Sequence, residues 1–459
     1  MASSKKRQSS ELVPHVESVL TRWVRPGQRL SLALSGGVDS VALLDILHQL
    51  QPRLGFHLSA IYVNHQLSPD AGHWAAFCAE LCRERVIPFE AVTVHVARRS
   101  RESLEAVARE ARYRVLLQQP VDFLALAHHQ DDQAETLLLQ LLRGAGAKGL
   151  SAMPEIRRGA GGEGRGETPI LLRPLLDIPR QEIVAYAQPR KLKWVEDESN
   201  VNTAFDRNFL RHELLPVLER RFPAYRDTLA RASGHLAEAA ELLDDLAGLD
   251  AQQAVVEGRL RVEVLRGLSD ARARNLLRHY LSGLGVPVPS AGRLESILQQ
   301  LLSSRDDAQV HARLGAFEIR RFRDEVYVQY GLMAPAPELL LHWHSEELLE
   351  LPGSGGKLVF ERVEGQGISL ARLEGSEVII RHRQGGERLR PDCKRPTRTL
   401  KHLLQEAAMP PWRRLQLPLL FCGEELVFVP EIGVACGYQA QPGELGVTVR
   451  WDAAATLNG

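Results

Sequence analysis

Through its first half the chain alternates short apolar runs rich in β-branched residues with stretches whose apolar positions recur at helical spacing. The runs Leu30–Leu34, Leu58–Val63, Phe89–Val94 and Phe123–Ala127 predict strands, with helices near 40–50, 71–85, 102–118 and 132–143 between them. A further run, Ile170–Leu176, predicts a fifth strand. Strands this apolar require cover on both faces, so the pattern predicts an α/β doubly wound, Rossmann-like parallel sheet. From about 206 to 304 helical spacing takes over, as at Leu229, Leu236, Ala240 and Leu243, which predicts a mostly helical domain. Strand-like segments at Phe317–Ile319 and Val326–Tyr330 would close it as a hairpin. The stretch 331–337, reading GLMAPAP, breaks both regular structures and reads as a linker. Beyond it, runs such as Val378–Ile380 and Leu426–Val429 and one helix near 398–408 predict a small α+β domain. The expected domains are 1–215, 216–332 and 338–459.

Composition narrows the class without changing this picture. Of 459 residues, 44% are apolar and 25% charged, which excludes a mainly disordered, collagen-like or coiled-coil chain. Lys plus Arg equals Asp plus Glu at 57 each, so any basic surface must be local. Five scattered cysteines make no disulfide framework and point to a reducing compartment. Cys78 and Cys82 read as small apolar side chains one helical turn apart. No apolar run approaches the ~20 residues of a membrane span, and the start MASSKKRQSS lacks a secretory apolar stretch, so a cytoplasmic protein is expected. Eight glycines between Gly144 and Thr168 predict a loop, either a solvated excursion or a lid that touches RNA.

Candidate chemistry begins directly after the first strand, with Ser35-Gly36-Gly37-Val38-Asp39-Ser40 leading into an apolar helix. Glycines here let the backbone approach an anion, and the helix start offers unpaired N–H groups and a partial positive charge. The segment therefore reads as a phosphate cradle. It is not a Walker A loop, since GxxxxGK[ST] and its lysine are absent. Asp39 could instead hold a magnesium ion bridging triphosphate oxygens. At this point the chain resembles the PP-loop pyrophosphatases, whose signature is SGGxDS. That resemblance implies ATP cleavage between the α and β phosphates, pyrophosphate held in the loop, and an adenylate formed on the substrate.

A second cluster, His128-His129-Gln130-Asp131-Asp132-Gln133-Ala134-Glu135-Thr136, follows the strand 123–127. A helix starting near Asp132 would set Asp132 and Glu135 on one face, with Asp131 beside them at its mouth. Converging strand ends should open both clusters onto one crevice. A capping box from Asp132 and Glu135 is the structural alternative, but it leaves His128, His129 and Asp131 unexplained. Zinc is excluded because no third ligand follows at suitable spacing and no cysteine is near.

Together with Arg109-Glu110-Ala111-Arg112-Tyr113, Leu142-Arg143-Gly144 and Arg207-Asn208-Phe209-Leu210-Arg211, the two clusters resemble the tRNA(Ile)-lysidine synthetase family. The likeness is strong over 29–215 and moderate over 385–421. It implies joining of the lysine side-chain amine to carbon 2 of the cytidine at the first anticodon position of an isoleucine tRNA with a CAU anticodon. ATP first adenylates the cytosine O2, and the amine then expels AMP. By this resemblance Asp132 and Glu135 hold the lysine, His128 is the natural group for proton transfer, and ATP and magnesium meet the loop at 35–40. The partners implied are that tRNA and L-lysine, with no membrane and, as an open option, a second copy of the chain.

Arg109, Arg112, Arg207 and Arg211 are either surface cations paired with Glu110 or Asp206, or ligands for phosphate and a flipped cytidine. Between Arg381 and Lys401, eight Lys or Arg face Glu387 and Asp392, so the local charge is 8 − 2 = +6. Within it Arg388, Arg390, Lys394, Arg395 and Lys401 are the expected tRNA contacts. This segment, followed by Pro410-Pro411-Trp412-Arg413-Arg414, resembles the acceptor-gripping C-terminal domain of longer members, with Trp412 either stacking on a base or, as is more common, a core residue. Two alternatives are a 2-thiolating PP-loop enzyme, disfavoured by the missing CxxC, and a non-catalytic tRNA-binding protein. A pure binder has little use for clustered carboxylates beside RNA phosphates.

Overall fold

A computed structural model describes residues 11–66, 68, 70–95, 104–158, 168–196, 198, 202–303, 310–331, 339–352 and 356–453. The Gly-rich stretch at 159–166 and the linker at 332–337 lie outside these residues. The chain divides into two compact units, 1–243 and 244–459.

In the first unit the elements run α1 (Leu12–Trp23), β1 (Arg29–Ala33), α2 (Val38–Leu54), β2 (His57–Asn64), α3 (Ala71–Glu84), β3 (Phe89–Thr93), α4 (Leu104–Leu116), β4 (Phe123–Ala125) and α5 (Gln130–Leu142). They continue with α6 (Ala147–Leu150), β5 (Ile156–Arg157), β6 (Ile170–Leu172), α7 (Arg180–Ala187), α8 (Asp206–Phe209), a π-helical turn (Leu210–Leu214), α9 (Leu215–Arg221) and α10 (Tyr225–Ala254). The last of these crosses the border between the units.

Strand order is β3-β2-β1-β4-β6-β5, parallel except for the terminal β5. Progression runs outward in one direction from β1 and in the other from β4, so the switch point lies between them. The core explains the order. Leu30, Leu32, Leu43, Leu44, Ile46 and Leu47 are fully buried, because α2 is apolar almost all round and lies between the sheet and its neighbouring helices. On the opposite face Ile61, Leu116, Leu124, Leu126 and Leu171 form a second cluster. The predicted fifth strand is shorter than its apolar run, ending at Leu172.

The second unit carries more sheet than its helical spacing predicted. Helices α11 (Val262–Gly267), α12 (Asp270–Gly283) and α13 (Ala291–Ser303) pack on five strands, β7 (Val255–Val256), β8 (Arg259–Arg261), β9 (Val310–Leu314), β10 (Phe317–Phe322) and β11 (Glu325–Tyr330). The expected hairpin is the β10–β11 pair at the middle of that sheet, in the order β7-β8-β11-β10-β9. The remainder holds an antiparallel five-stranded and a four-stranded sheet, the latter centred on 357–364 paired with 445–452. A helix at Leu400–Glu406 matches the one expected near 398–408.

One expectation is corrected here and one alternative decided. Cys393 and Cys436 form a disulfide with Cα atoms 5.3 Å apart, whereas Cys78, Cys82 and Cys422 are buried thiols. Trp412 is a core residue, 5% exposed, with its ring edge-on to Tyr327 and Phe322 at 5.5 and 6.2 Å. Among the described residues no helix is long and apolar enough to cross a membrane.

Candidate active site

The loop between β1 and α2 is braced from within by its own serines, and Ser35 Oγ accepts from the Gly37 N–H at 3.4 Å. Gly36 has φ +84°, a left-handed conformation that disfavours a side chain, and Gly37 caps α2 in an extended conformation. Ser40 Oγ accepts from the Ser35 N–H at 3.3 Å and donates to the Gly37 carbonyl at 3.0 Å. Ser35 and Ser40 hydroxyls lie 3.1 Å apart. The serines therefore brace the turn from inside, while the Gly36 carbonyl is fixed by the Val195 N–H at 3.0 Å.

From the neighbouring strand, β4 delivers His128 and His129 to the same place. His129, 3% exposed, sets Nε2 3.7 Å from Asp39 Oδ2 and 3.5 Å from Asp132 Oδ2, with Nδ1 3.8 Å from Asp131 Oδ2. The two clusters meet, as the switch point requires. A cavity of about 310 Å³ is lined by Ser35, Asp39, Ser40, His65, Arg112 and His128, among others. Asp39 Oδ1 is buried without a hydrogen-bond partner. Burial raises the Asp39 carboxyl against the lowering influence of His129 and Arg180. Such an unsatisfied carboxylate oxygen fits a group that would help hold a cation. No cluster of three or more potential protein ligands exists among the described residues, so Asp39 would be its main protein anchor.

Helix α5 starts at Gln130, two residues earlier than predicted. The capping contact is accordingly different: Asp132 Oδ2 reaches back to the His129 N–H at 3.0 Å. Glu135 is fully buried, and its carboxylate accepts from Arg207 Nε at 2.7 Å and from Arg211 Nε and Nη2 at 2.7 and 3.0 Å. Arg207 and Arg211 also approach Asp132 Oδ1, at 3.5 and 3.6 Å. Burial would raise the Asp132 carboxyl, but His129, Arg207 and His128 together hold it well below the ordinary range.

Of the expected residues outside the loop at 35–40, His128 and Arg112 line this cavity. Asp131, Glu135 and Arg211 line a neighbouring one of about 400 Å³, where the Asp131 oxygens accept from the Arg180 backbone N–H at 3.0 Å and from Arg226 Nε at 2.6 Å. Arg109 is exposed, its guanidinium 5.2 Å from the Tyr113 ring centre, whereas Arg112 lines the first cavity. Glu110 pairs with Arg114 at 3.0 Å and Asp206 with Arg143 at 3.5 Å.

Three arginines were missed in the sequence: Arg173, whose Nε is 3.3 Å from His128 Nδ1; Arg180, whose Nε is 3.6 Å from Asp39; and Arg226. Arg173 and Arg180 stand just beyond β6, another parallel strand of the same sheet, which is the signal that could have found them.

A protein-family model described as "PP-loop domain" matches residues 5–218. One described as "TilS substrate binding domain" matches 260–327, and "TilS substrate C-terminal domain" matches 378–451. A tRNA(Ile)-lysidine synthase of Nitrosomonas europaea is 48% identical over 98% of both chains. The chain belongs to the tRNA(Ile)-lysidine synthase family. Its Azoarcus sp. relative of the same name is 42% identical over 95% of each chain. Among solved structures, a U34-tRNA thiolase of Methanococcus maripaludis aligns with 50% of this chain and 79% of its own at 20% identity, with a TM-score of 0.41. For a tRNA(Ile)-lysidine synthase family member, the loop at 35–40 belongs to the ATP-using PP-loop domain.

The basic segment lies in the second unit, within the C-terminal match. Gly385 and Gly386, at φ +99° and +85°, make the turn that Glu387 locks by accepting from the Gln384 and Gly385 N–H groups at 2.6 and 2.8 Å. Arg388, Arg390, Lys394, Arg395 and Lys401 are all exposed. The Cys393–Cys436 bond fastens this segment at its middle.

Proposed function

We propose that the chain ligates L-lysine to carbon 2 of the cytidine at the first anticodon position of isoleucine tRNA with a CAU anticodon, releasing AMP and pyrophosphate. The observation that carries this reading is the meeting of the two clusters at the switch point, where Ser35, Asp39 and Ser40 share a cavity with His128 and Asp39 lies 3.7 Å from His129. The backbone N–H groups of Gly36, Gly37 and the first turn of α2 would hold the departing pyrophosphate. Asp39 would hold magnesium, whose chemistry when bound is to neutralise charge on the triphosphate.

The cytosine O2 attacks the α phosphorus, the bond to pyrophosphate breaks, and the lysine amine then displaces AMP from carbon 2. Asp132 Oδ1, with only longer guanidinium contacts at 3.5 and 3.6 Å, is proposed to meet the lysine ammonium. Glu135 is fully engaged by Arg207 and Arg211 and is proposed as a positioning residue for them. Arg112 is the proposed contact for phosphate or the extruded base.

Incubation with ATP, magnesium, labelled lysine and isoleucine tRNA bearing CAU tests the reading. Label in RNA matched by AMP release is expected; label from ammonia or sulfur in place of lysine would reassign the substrate. Residues 1–215 are proposed as the catalytic domain, 216–332 as a tRNA-contacting one and 338–459 as the acceptor-binding one, supported by separate apolar cores in the three stretches. A cytoplasmic location follows from substrates that reside there, and no step calls on a second copy of the chain.

The exposed cations at 388–401 supply a separate expectation. Combined Arg388→Glu, Arg390→Glu and Arg395→Glu should weaken tRNA binding and flatten the plot of log affinity against log salt by roughly 3, about one for each RNA phosphate left without its cation. ATP binding should be unchanged. Equal tRNA affinity and slope in filter binding would remove this surface from the interface.

A further inference from the structure

The residue expected to move a proton, His128, is held in a way that suits a different task. Arg173 is 3% exposed and fixed at one end by the Pro154 carbonyl, which accepts from Nη1 at 2.7 Å. Its Nε lies 3.3 Å from His128 Nδ1. A guanidinium has donors only, so in this contact Nδ1 must present its lone pair. A neutral imidazole whose Nδ1 accepts carries its proton on Nε2, the nitrogen that Arg173 leaves to the cavity lined by Ser35, Asp39 and Ser40.

We propose that Arg173 is a positioning residue that locks His128 as an Nε2–H hydrogen-bond donor to the nucleotide, so that His128 stabilises the adenylate chemistry without exchanging its proton. This rests on the ATP-dependent reading above. In the proposed adenylation the α-phosphorus–pyrophosphate bond breaks and the bond to cytosine O2 forms, with no proton passing through the ring. The proton released by the lysine amine in the second step leaves by another route, to water or to the departing AMP.

The surroundings favour the same state. Burial drives the His128 imidazole down to about 3; Asp132 opposes this, while Arg173, Arg207 and Arg112 add to it. Asp39 and His65 line the same cavity, and burial with Arg112 nearby drives His65 down to about 4. A neutral ring so far below the ammonium range is a poor acceptor for a lysine proton but an effective donor to a phosphate oxygen.

Three variants and one spectrum test the assignment. His128→Gln retains a side-chain N–H donor and should keep AMP release within about tenfold of the parent, whereas His128→Ala should lose on the order of 10²–10³-fold, the usual effect of one deleted donor in such a site. Arg173→Met frees the ring to place its proton on Nδ1, so it should lower AMP release at neutral pH. A general base predicts equal inactivity of His128→Gln and His128→Ala; that result overturns the proposal. Nitrogen NMR of the histidine-labelled parent chain, with His128 assigned by its loss in His128→Gln, should show an unprotonated Nδ1 and a protonated Nε2 at neutral pH. The reverse tautomer also overturns it. The spectrum needs neither substrate nor turnover, so a parent chain that fails to join lysine to RNA would sink the proposed function while leaving the tautomer to be judged separately. Should Arg173→Met not fold, the His128 pair and the spectrum still decide.

Discussion

Gly36→Ala should lower AMP release from ATP and tRNA on the order of 10²-fold, the scale at which a small displacement of a positioning loop acts on rate. At φ +84° a β-carbon costs about 1–2 kcal/mol in backbone strain alone. It would also stand 2.8 Å from Val195 Cγ2 and 3.2 Å from Cys78 Sγ. Neither neighbour can retreat easily. The Val195 backbone is hydrogen-bonded to Gly36 itself, and Cys78 is fully buried in α3. The loop must therefore shift, and with it the amides that cradle pyrophosphate. Gly37→Ala gives the contrast, since its β-carbon meets only Ser35 Oγ at 3.6 Å and its backbone is extended. Thermal stability should thus fall less at position 37 than at position 36, its loss being that of an N-cap glycine replaced by alanine. Single-turnover AMP release decides the matter, and a Gly36→Ala chain within threefold of the parent would refute the cradle.

Glu135→Ala should destabilise the first unit by about 3–5 kcal/mol, the usual cost of stripping the partner from a buried charge. The carboxylate is fully buried and receives three guanidinium donors, so its removal leaves Arg207 and Arg211 facing each other with Asp132 as their remaining counter-charge. Urea unfolding reads the effect directly, and an unchanged midpoint would show that the two arginines do not depend on Glu135. The same neighbourhood sets an acid limit. Asp132 and Asp131 both have carboxyls held below their ordinary range, so each stabilises the fold above the unfolded carboxylate range. That contribution is lost as pH falls through the depressed folded values.

The parallel sheet and both arms of the site were legible in the sequence because their signals are local. Strands 30–34 and 123–127 are short and, Ser31 apart, wholly apolar, and the glycine loop and the paired histidines follow directly on them. What escaped notice depended on distant partners. Glu135 meets Arg207 across 72 positions, so spacing suggested only the adjacent Asp206. Arg173 was hidden because the apolar run 170–176 reads as unbroken strand, whereas pairing with β4 stops at Leu172 and leaves the arginine at the strand end. Strands β7 and β8, on one side of their sheet, are two and three residues long, too short for any period to register, so in this region only the helices and the β10–β11 hairpin were legible. Trp412, placed among arginines, read either as a base-stacking ring or as a core residue, and the packing of Tyr327 and Phe322 decides for the core.

Strand order has one more consequence, for synthesis rather than catalysis. The glycine loop leaves the ribosome about ninety residues ahead of the histidine pair, and β4 must then insert beside β1 after β2 and β3 have already taken the other flank. A nascent chain therefore possesses the anion nest well before it possesses anything to place opposite it, and competence to handle nucleotide arrives in a single late event when the central pair of strands closes.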